Sequence, residues 1–174
     1  MALPVLTDYI KTQYGGQPLA IVSPDAGRIK VAERFSQHLR ADLAFIHKRR
    51  PKDRHGEVEA RGVIGDVAGR PCVVIDDMID SAGTIVAAAD ILKQEGATEI
   101  WCAATHAILS DPATDRLKNS EYSKVLVTNT LPIPSEKQID KLEVLSVAKI
   151  LARAIDAIFE DSSVGDLFGG ENYS

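Results

Sequence analysis

A chain of 174 residues, 45% of them hydrophobic and 26% charged, can bury a substantial core as one domain over residues 1–174 without disulfide or metal staples. A net charge of -5 argues against general nucleic-acid binding. No apolar run approaches the ~18 residues of a membrane span, and the start lacks a basic-then-apolar signal pattern, so a cytoplasmic protein with no nucleic-acid or membrane partner is expected.

Residues 3 to 14 carry Leu3, Val5, Leu6, Tyr9 and Ile10 at helical spacing, and Gly15-Gly16 stops them. Leu19 to Ser23 reads as a short apolar strand running into Pro24-Asp25-Ala26-Gly27, an acid on a small-residue turn. A helix is predicted next, from about Arg28 to Leu39, with Val31, Ala32, Phe35 and Leu39 on one face. Asp25 is a helix cap in the plain structural reading; beside a phosphate site it becomes a candidate Mg²⁺ ligand or phosphate neighbour. Leu43 to Ile46 makes another strand, continued by the most basic stretch of the chain, His47-Lys48-Arg49-Arg50-Pro51-Lys52-Asp53-Arg54-His55. A solvated loop is the ordinary fate of a charge run. Yet Pro51 blocks a helix, and a long mobile basic loop after a strand is what a lid over polyphosphate requires. Glu57 to Gly65 reads as an edge strand, and Gly65-Asp66 and Ala68-Gly69 turn the chain onward.

The stretch Cys72 to Thr84 concentrates the chemistry. Its β-branched run suits a strand buried on both faces of a parallel sheet, because helices cover each side and erase alternation. Asp76 and Asp77 then fall at the carboxyl end, where open α/β sheets bind ligands. Two adjacent acids there are costly unless a cation or hydroxyl meets them. Ser81, Ala82 and Gly83 allow backbone amides to approach an anion, Thr84 adds a hydroxyl, and a helix over residues 81 to 95 aims its positive end at the same point. The bland alternative is an acidic turn with a good N-cap.

After Gly96, Glu99 to Ala104 returns as a strand, and residues 105 to 113 follow as a loop and a helix start in which His106 is read as structural. Cys72 and Cys102 lie in strand-like runs without metal spacing and are expected to be buried thiols. Val125 to Thr128 is the last clear strand. Val144 to Phe159 reads as one periodic helix packing Leu145, Val147, Ala148, Ile150, Leu151, Ala154, Ile155 and Ile158, with a tail expected to fray after Phe168. The fold class expected is α/β, a three-layer α/β/α sandwich around a mostly parallel five-stranded sheet.

The run Val74 to Thr84 resembles the phosphoribosyl diphosphate motif of the type I phosphoribosyltransferase superfamily. Ser23-Pro24-Asp25-Ala26-Gly27, His47-Lys48-Arg49-Arg50, that run, Thr105-His106, Val127-Thr128-Asn129-Thr130, and Ser163-Val164 with Leu167-Phe168 follow one another as in the ribose-phosphate pyrophosphokinase family. The resemblance spans nearly the whole chain and the carboxyl-terminal half of that enzyme. It implies Mg²⁺-dependent transfer of the diphosphoryl group of ATP to ribose 5-phosphate, giving phosphoribosyl diphosphate and AMP for nucleotide biosynthesis. It further implies that Asp80, Ser81, Ala82, Gly83 and Thr84 hold the 5-phosphate. Asp76 and Asp77 would face the ribose hydroxyls and the metal-bound diphosphate, Asp25 would attend the metal, and Lys48 and Arg50 would be the catalytic cations.

By the same resemblance, the amino-terminal half of the enzyme, with the adenine pocket and a metal-ligating histidine, is a missing partner, and the complete protein is a homo-oligomer. Arg28, Asp111 and Gly165 depart from the family pattern, the last within a segment that contributes to regulatory phosphate binding in many members. The alternatives are a type I phosphoribosyltransferase, which consumes phosphoribosyl diphosphate, and a non-catalytic phosphoribosyl-binding regulatory subunit. Retention of Lys48 and Arg50 speaks against the second.

Overall fold

The structure is a computed structural model, and it describes residues 2–49 and 60–168. Seven strands form one sheet in the order β3-β2-β1-β4-β5-β6-β7. They are β1 (Ala20–Ser23), β2 (Asp42–Arg49), β3 (Ala60–Ile64), β4 (Pro71–Ile79), β5 (Glu99–Ala107), β6 (Lys124–Thr128) and β7 (Leu142–Leu145). Every pairing is parallel except β2 with β3, an antiparallel edge in which Phe45 faces Ile64 and Lys48 faces Arg61. The helices are α1 (Leu3–Tyr14), α2 (Ile29–Leu39), α3 (Gly83–Gln94), α4 (Ala113–Lys118) and α5 (Ala148–Phe159).

Alternate residues of the central strands feed two cores, because successive side chains of a strand point to opposite faces. Cys72, Val74, Cys102, Ala104, Val125 and Val127 pack with Ile85, Ala88, Ala89 and Leu92 of α3 and with Ala113 and Leu117 of α4. Ile21, Val73, Ile75, Trp101, Ala103 and Leu126 pack with Leu3, Leu6 and Ile10 of α1 and with Ala32 and Phe35 of α2. The three-layer architecture is therefore as expected, and β4 is buried on both faces up to Ile75. Both cysteines are free and buried, and burial pushes the Cys72 thiol up to about 12.

Five expectations are corrected. The sheet has seven strands rather than five. Part of the difference is β7: Leu142–Leu145 pairs with β6, Val127 facing Val144, so the helix predicted from Val144 begins only at Ala148. That helix packs less than its periodicity suggests. Ala157 is its one buried residue, while Leu151, Ile155, Ile158 and Phe159 are between 54% and 85% exposed.

The basic stretch is also partly strand. His47, Lys48 and Arg49 continue β2, because their backbone is paired against Gly62, Arg61 and Ala60 of β3. The rest of the predicted lid, from Arg50, lies outside the described residues, as do residues 57–59 of the predicted edge strand and the tail beyond Phe168. Finally, β5 runs through Thr105 and His106 to Ala107, where a loop was expected, because Met78 and Ile79 extend β4 alongside it.

Candidate functional site

The sheet order changes direction between β1 and β4: the chain leaves β1 toward β2 on one side and leaves β4 toward β5 on the other. A crevice opens at the carboxyl ends of strands at such a switch point. The acidic residues singled out from the sequence arrive there from both sides. Asp25 follows β1 directly, and Asp76 and Asp77 lie near the end of β4. A cavity of about 580 Å³ is lined by Pro24, Asp25, Ala26, Gly27, Ile46, His47, Thr84 and Ala88, a volume suited to a small ligand. A smaller recess of about 140 Å³ is lined by Asp76, Met78 and the whole turn from Asp80 to Thr84. Thr84 borders both, so the two spaces adjoin at the start of α3.

The start of α3 leaves its amides open. α3 begins after Ala82, which adopts the left-handed conformation (φ 61°, ψ 5°) and offers no side-chain cap. The amides of the first helical turn have no intrahelical acceptors, and no side chain takes their place at this N-terminus. A left-handed residue followed by helical ones turns successive N–H groups toward a common point, the concavity that binds phosphates. Asp80, Ser81, Gly83 and Thr84 are exposed around it, and a Cβ on Gly83 would meet nothing closer than the Arg116 Nη1 at 3.5 Å. The reading of this stretch as an ordinary capped turn therefore fails on the absent cap.

The paired acids have found a cation of the protein's own. Arg28 stands at the end of a short 3-10 turn, Ala26–Arg28, beside β4. Its Nη2 lies 2.8 Å from Asp77 Oδ2, and its Nε lies 3.4 Å from Asp76 Oδ1. Asp76 Oδ1 also accepts the Asp77 amide at 2.8 Å. Burial pushes the Asp76 carboxyl up to about 6, against the downward pull of the Asp77 amide and the Arg28 guanidinium. Asp77 Oδ1 is buried without a hydrogen-bond partner. Asp25 is a cap as well as a crevice residue: its Oδ1 accepts the amides of Gly27 (2.8 Å) and Arg28 (3.1 Å).

Among the described residues no three His, Cys, Asp or Glu side chains converge as a metal-binding group, so Asp25 does not complete a ligand set with the Asp76–Asp77 pair. Lys48 lies on β2, and Arg50 is outside the described residues. His106 Nδ1 is 2.9 Å from Thr130 Oγ1, a polar contact between β5 and the loop after β6.

Two residues escaped the reading of the sequence as members of the site. Arg28, read from the sequence as a helix start and a departure from the family pattern, holds both acids. Arg116 donates from Nη1 to the Ser81 carbonyl at 2.9 Å, and nothing in the order of residues links α4 to that turn.

This sheet order, with an uncapped helix start after β4 and acids at the switch point, defines a phosphoribosyltransferase-like α/β protein. The fold is shared with the orotate phosphoribosyltransferase of Aeropyrum pernix, at a TM-score of 0.53 and 17% identity over 87% of this chain and 73% of that one. More narrowly, the chain belongs to the phosphoribosyl synthetase-associated domain family, whose model matches residues 51–169.

It is similar to the ribose-phosphate pyrophosphokinase of Streptomyces coelicolor, 53% identical over 96% of this chain and 52% of the relative. The protein of that name from Bifidobacterium longum is 51% identical over 97% of this chain and 50% of its own length. The phosphoribosylpyrophosphate synthetase structure from Mycobacterium smegmatis superposes at a TM-score of 0.83, with 44% identity, covering 92% of this chain and 51% of that one. The chain thus spans about half the length of the curated relatives it matches, and the expected resemblance to ribose-phosphate pyrophosphokinases is borne out.

Proposed function

We propose that this chain is the carboxyl-terminal, ribose 5-phosphate-binding half of a cytoplasmic ribose-phosphate pyrophosphokinase. The observation that carries the reading is the uncapped start of α3 set beside the Asp76–Asp77 pair at the switch point. In this reading the turn Asp80–Thr84 binds the 5-phosphate, and Asp76 and Asp77 face the ribose hydroxyls. The anomeric oxygen forms a bond to the β-phosphorus of ATP as the bond to the bridging oxygen breaks. AMP leaves, the hydroxyl proton is released, and phosphoribosyl diphosphate remains.

Such a transfer needs positioning and charge neutralisation rather than a protein nucleophile. Lys48 and Arg50 supply positive charge to the moving group. The acids fit Mg²⁺: Asp77 carries a buried, unpartnered oxygen, and the ion needs only one or two carboxylates when phosphate oxygens and waters complete its shell. Asp77 and Asp76 would hold it, with Asp25 as a further acid of the crevice, and the ion would supply neutralisation of the diphosphoryl oxygens when bound. The adenine site and further metal ligands belong to the additional half that the relatives possess, and the complete protein is a homo-oligomer.

Gly83→Val tests the site directly. Gly83 has no positive φ, and a Cβ there would make only ordinary contacts, 3.5 Å to Arg116 Nη1 and 4.0 Å to Ser81 Oγ, so the variant should fold, while its branched side chain covers the amides that meet the phosphate. Calorimetric titration of ribose 5-phosphate with Mg²⁺ should show binding to the native chain and at least a tenfold loss, the scale of a charged hydrogen bond or more, in the variant. Unchanged affinity in the variant would place the ligand elsewhere.

A further inference from the structure

A phosphate dianion settling on the α3 turn faces an electrostatic difficulty that the helix alone does not resolve. Asp76 and Asp80 border the same recess, and the helix terminus offers only about half a positive charge. Arg28 is occupied with Asp76 and Asp77. Among the described residues, the guanidinium in contact with the turn itself is that of Arg116. It comes from α4, whose Ala113 and Leu117 are fully buried, so the side chain is presented from a packed element. Its Nη1 donates to the Ser81 carbonyl at 2.9 Å and lies 3.5 Å from where a Cβ on Gly83 would stand.

We propose that Arg116 is a positioning and specificity-determining residue of the phosphate subsite; the inference rests on the ribose 5-phosphate reading given above. Two effects combine. The bond to Ser81 turns that carbonyl toward α4, and because a trans peptide is planar, the Ala82 N–H points the opposite way. A carbonyl free to rotate would present its negative end to the incoming phosphate. The guanidinium also adds a full positive charge beside Gly83, and the bond to Ser81 uses only part of its fork of donors. Selectivity follows: the turn favours a doubly charged phosphate ester over a singly charged or neutral sugar.

The test uses the full chain with Arg116→Gln, Arg116→Lys and the native residue, titrated with ribose 5-phosphate and with inorganic phosphate in the presence of Mg²⁺. Arg116→Gln should weaken ribose 5-phosphate at least about tenfold, the scale of a lost charge-assisted hydrogen bond, and Arg116→Lys should recover part of that loss. The pH dependence separates a charge role from a structural one. Native affinity should rise as the phosphate passes to its dianion near pH ~6, and that rise should flatten in Arg116→Gln.

Native-like affinity in folded Arg116→Gln, or a loss of equal size for monoanion and dianion, would overturn the proposal while leaving the site reading intact. Failure of the native chain to bind ribose 5-phosphate would overturn the site reading and this inference with it. Should Arg116→Gln not fold, Arg116→Lys decides: it keeps the charge but loses the planar fork, so a native pH profile at reduced affinity supports the proposal and an unchanged affinity overturns it.

Discussion

At the scale of single residues, the site is organised by one ion pair with an unusual geometry. Adjacent strand residues normally face opposite ways, yet Arg28 reaches both Asp76 and Asp77 because it arrives from the turn after β1, beside the end of β4. Burial nonetheless dominates the titration of Asp76, raising its pKa from the ordinary 3.8 to about 6. The sign of the linked stability follows. Near pH 3 both folded and unfolded chains hold the proton and the group costs nothing. As pH rises from about 4 to about 6 the unfolded chain loses its proton first, so stability falls across that window and the loss persists above it. Asp76→Asn should remove this component and raise stability above pH 6 relative to the native chain, as read from urea denaturation in EDTA at several pH values. Arg28→Gly should move the Asp76 titration further upward, which carboxyl-carbon NMR would follow. A downward move would mean that the guanidinium does not stabilise the charged acid.

Among the elements, the start of α3 carries the strongest local constraint. Ala82 sits at φ 61°, is 5% exposed and belongs to the core below α3, so the turn proposed to bind phosphate is held by a residue in a conformation that side chains disfavour. Ala82→Val should cost at least about 2 kcal/mol, since a β-branched residue is a genuine outlier there and has no room. Ala82→Gly should stay within about 1 kcal/mol of the native chain, because relief of strain is offset by a lost buried methyl and by glycine's unfolded-state entropy. Denaturant midpoints of the two variants check the contrast. This turn was legible in the sequence because its chemistry is local: an apolar run, acids, small residues and a helix in one stretch. β7 was not, because Val144, Leu145, Val147 and Ala148 merge its alternation into the helical period of α5, and only pairing with β6 separates them. The period of α5 was real, but a period names the apolar face of a helix without saying whether anything lies against it, and here that face is exposed. Arg116 was illegible for a similar reason, since its partner lies 35 positions away and is a backbone carbonyl.

For the whole molecule, the sheet order separates the proposed sugar side of the reaction from the end of β2. The turn after β4 and the acids at the switch point form the sugar side, whereas the basic stretch leaves the carboxyl end of β2, next to β1 and the larger cavity that Ile46 and His47 border. A group that binds ribose 5-phosphate should change affinity when removed; a group that meets only the transferring diphosphoryl should change turnover. Lys48→Ala and Arg50→Ala should therefore lower kcat by at least about a hundredfold each, the scale of removing one transition-state donor, with little change in ribose 5-phosphate affinity. Arg49→Ala should be much milder if the role belongs to Lys48 and Arg50. Lys52→Ala, outside the proposed pair of catalytic cations, should also be mild. The measurement is AMP release from ATP with ribose 5-phosphate and Mg²⁺, made on this chain joined to the additional half found in its relatives. A graded loss that followed only the number of charges removed, equal at all four positions, would leave general attraction of polyphosphate as the role of the basic stretch and defeat its assignment to the transfer step.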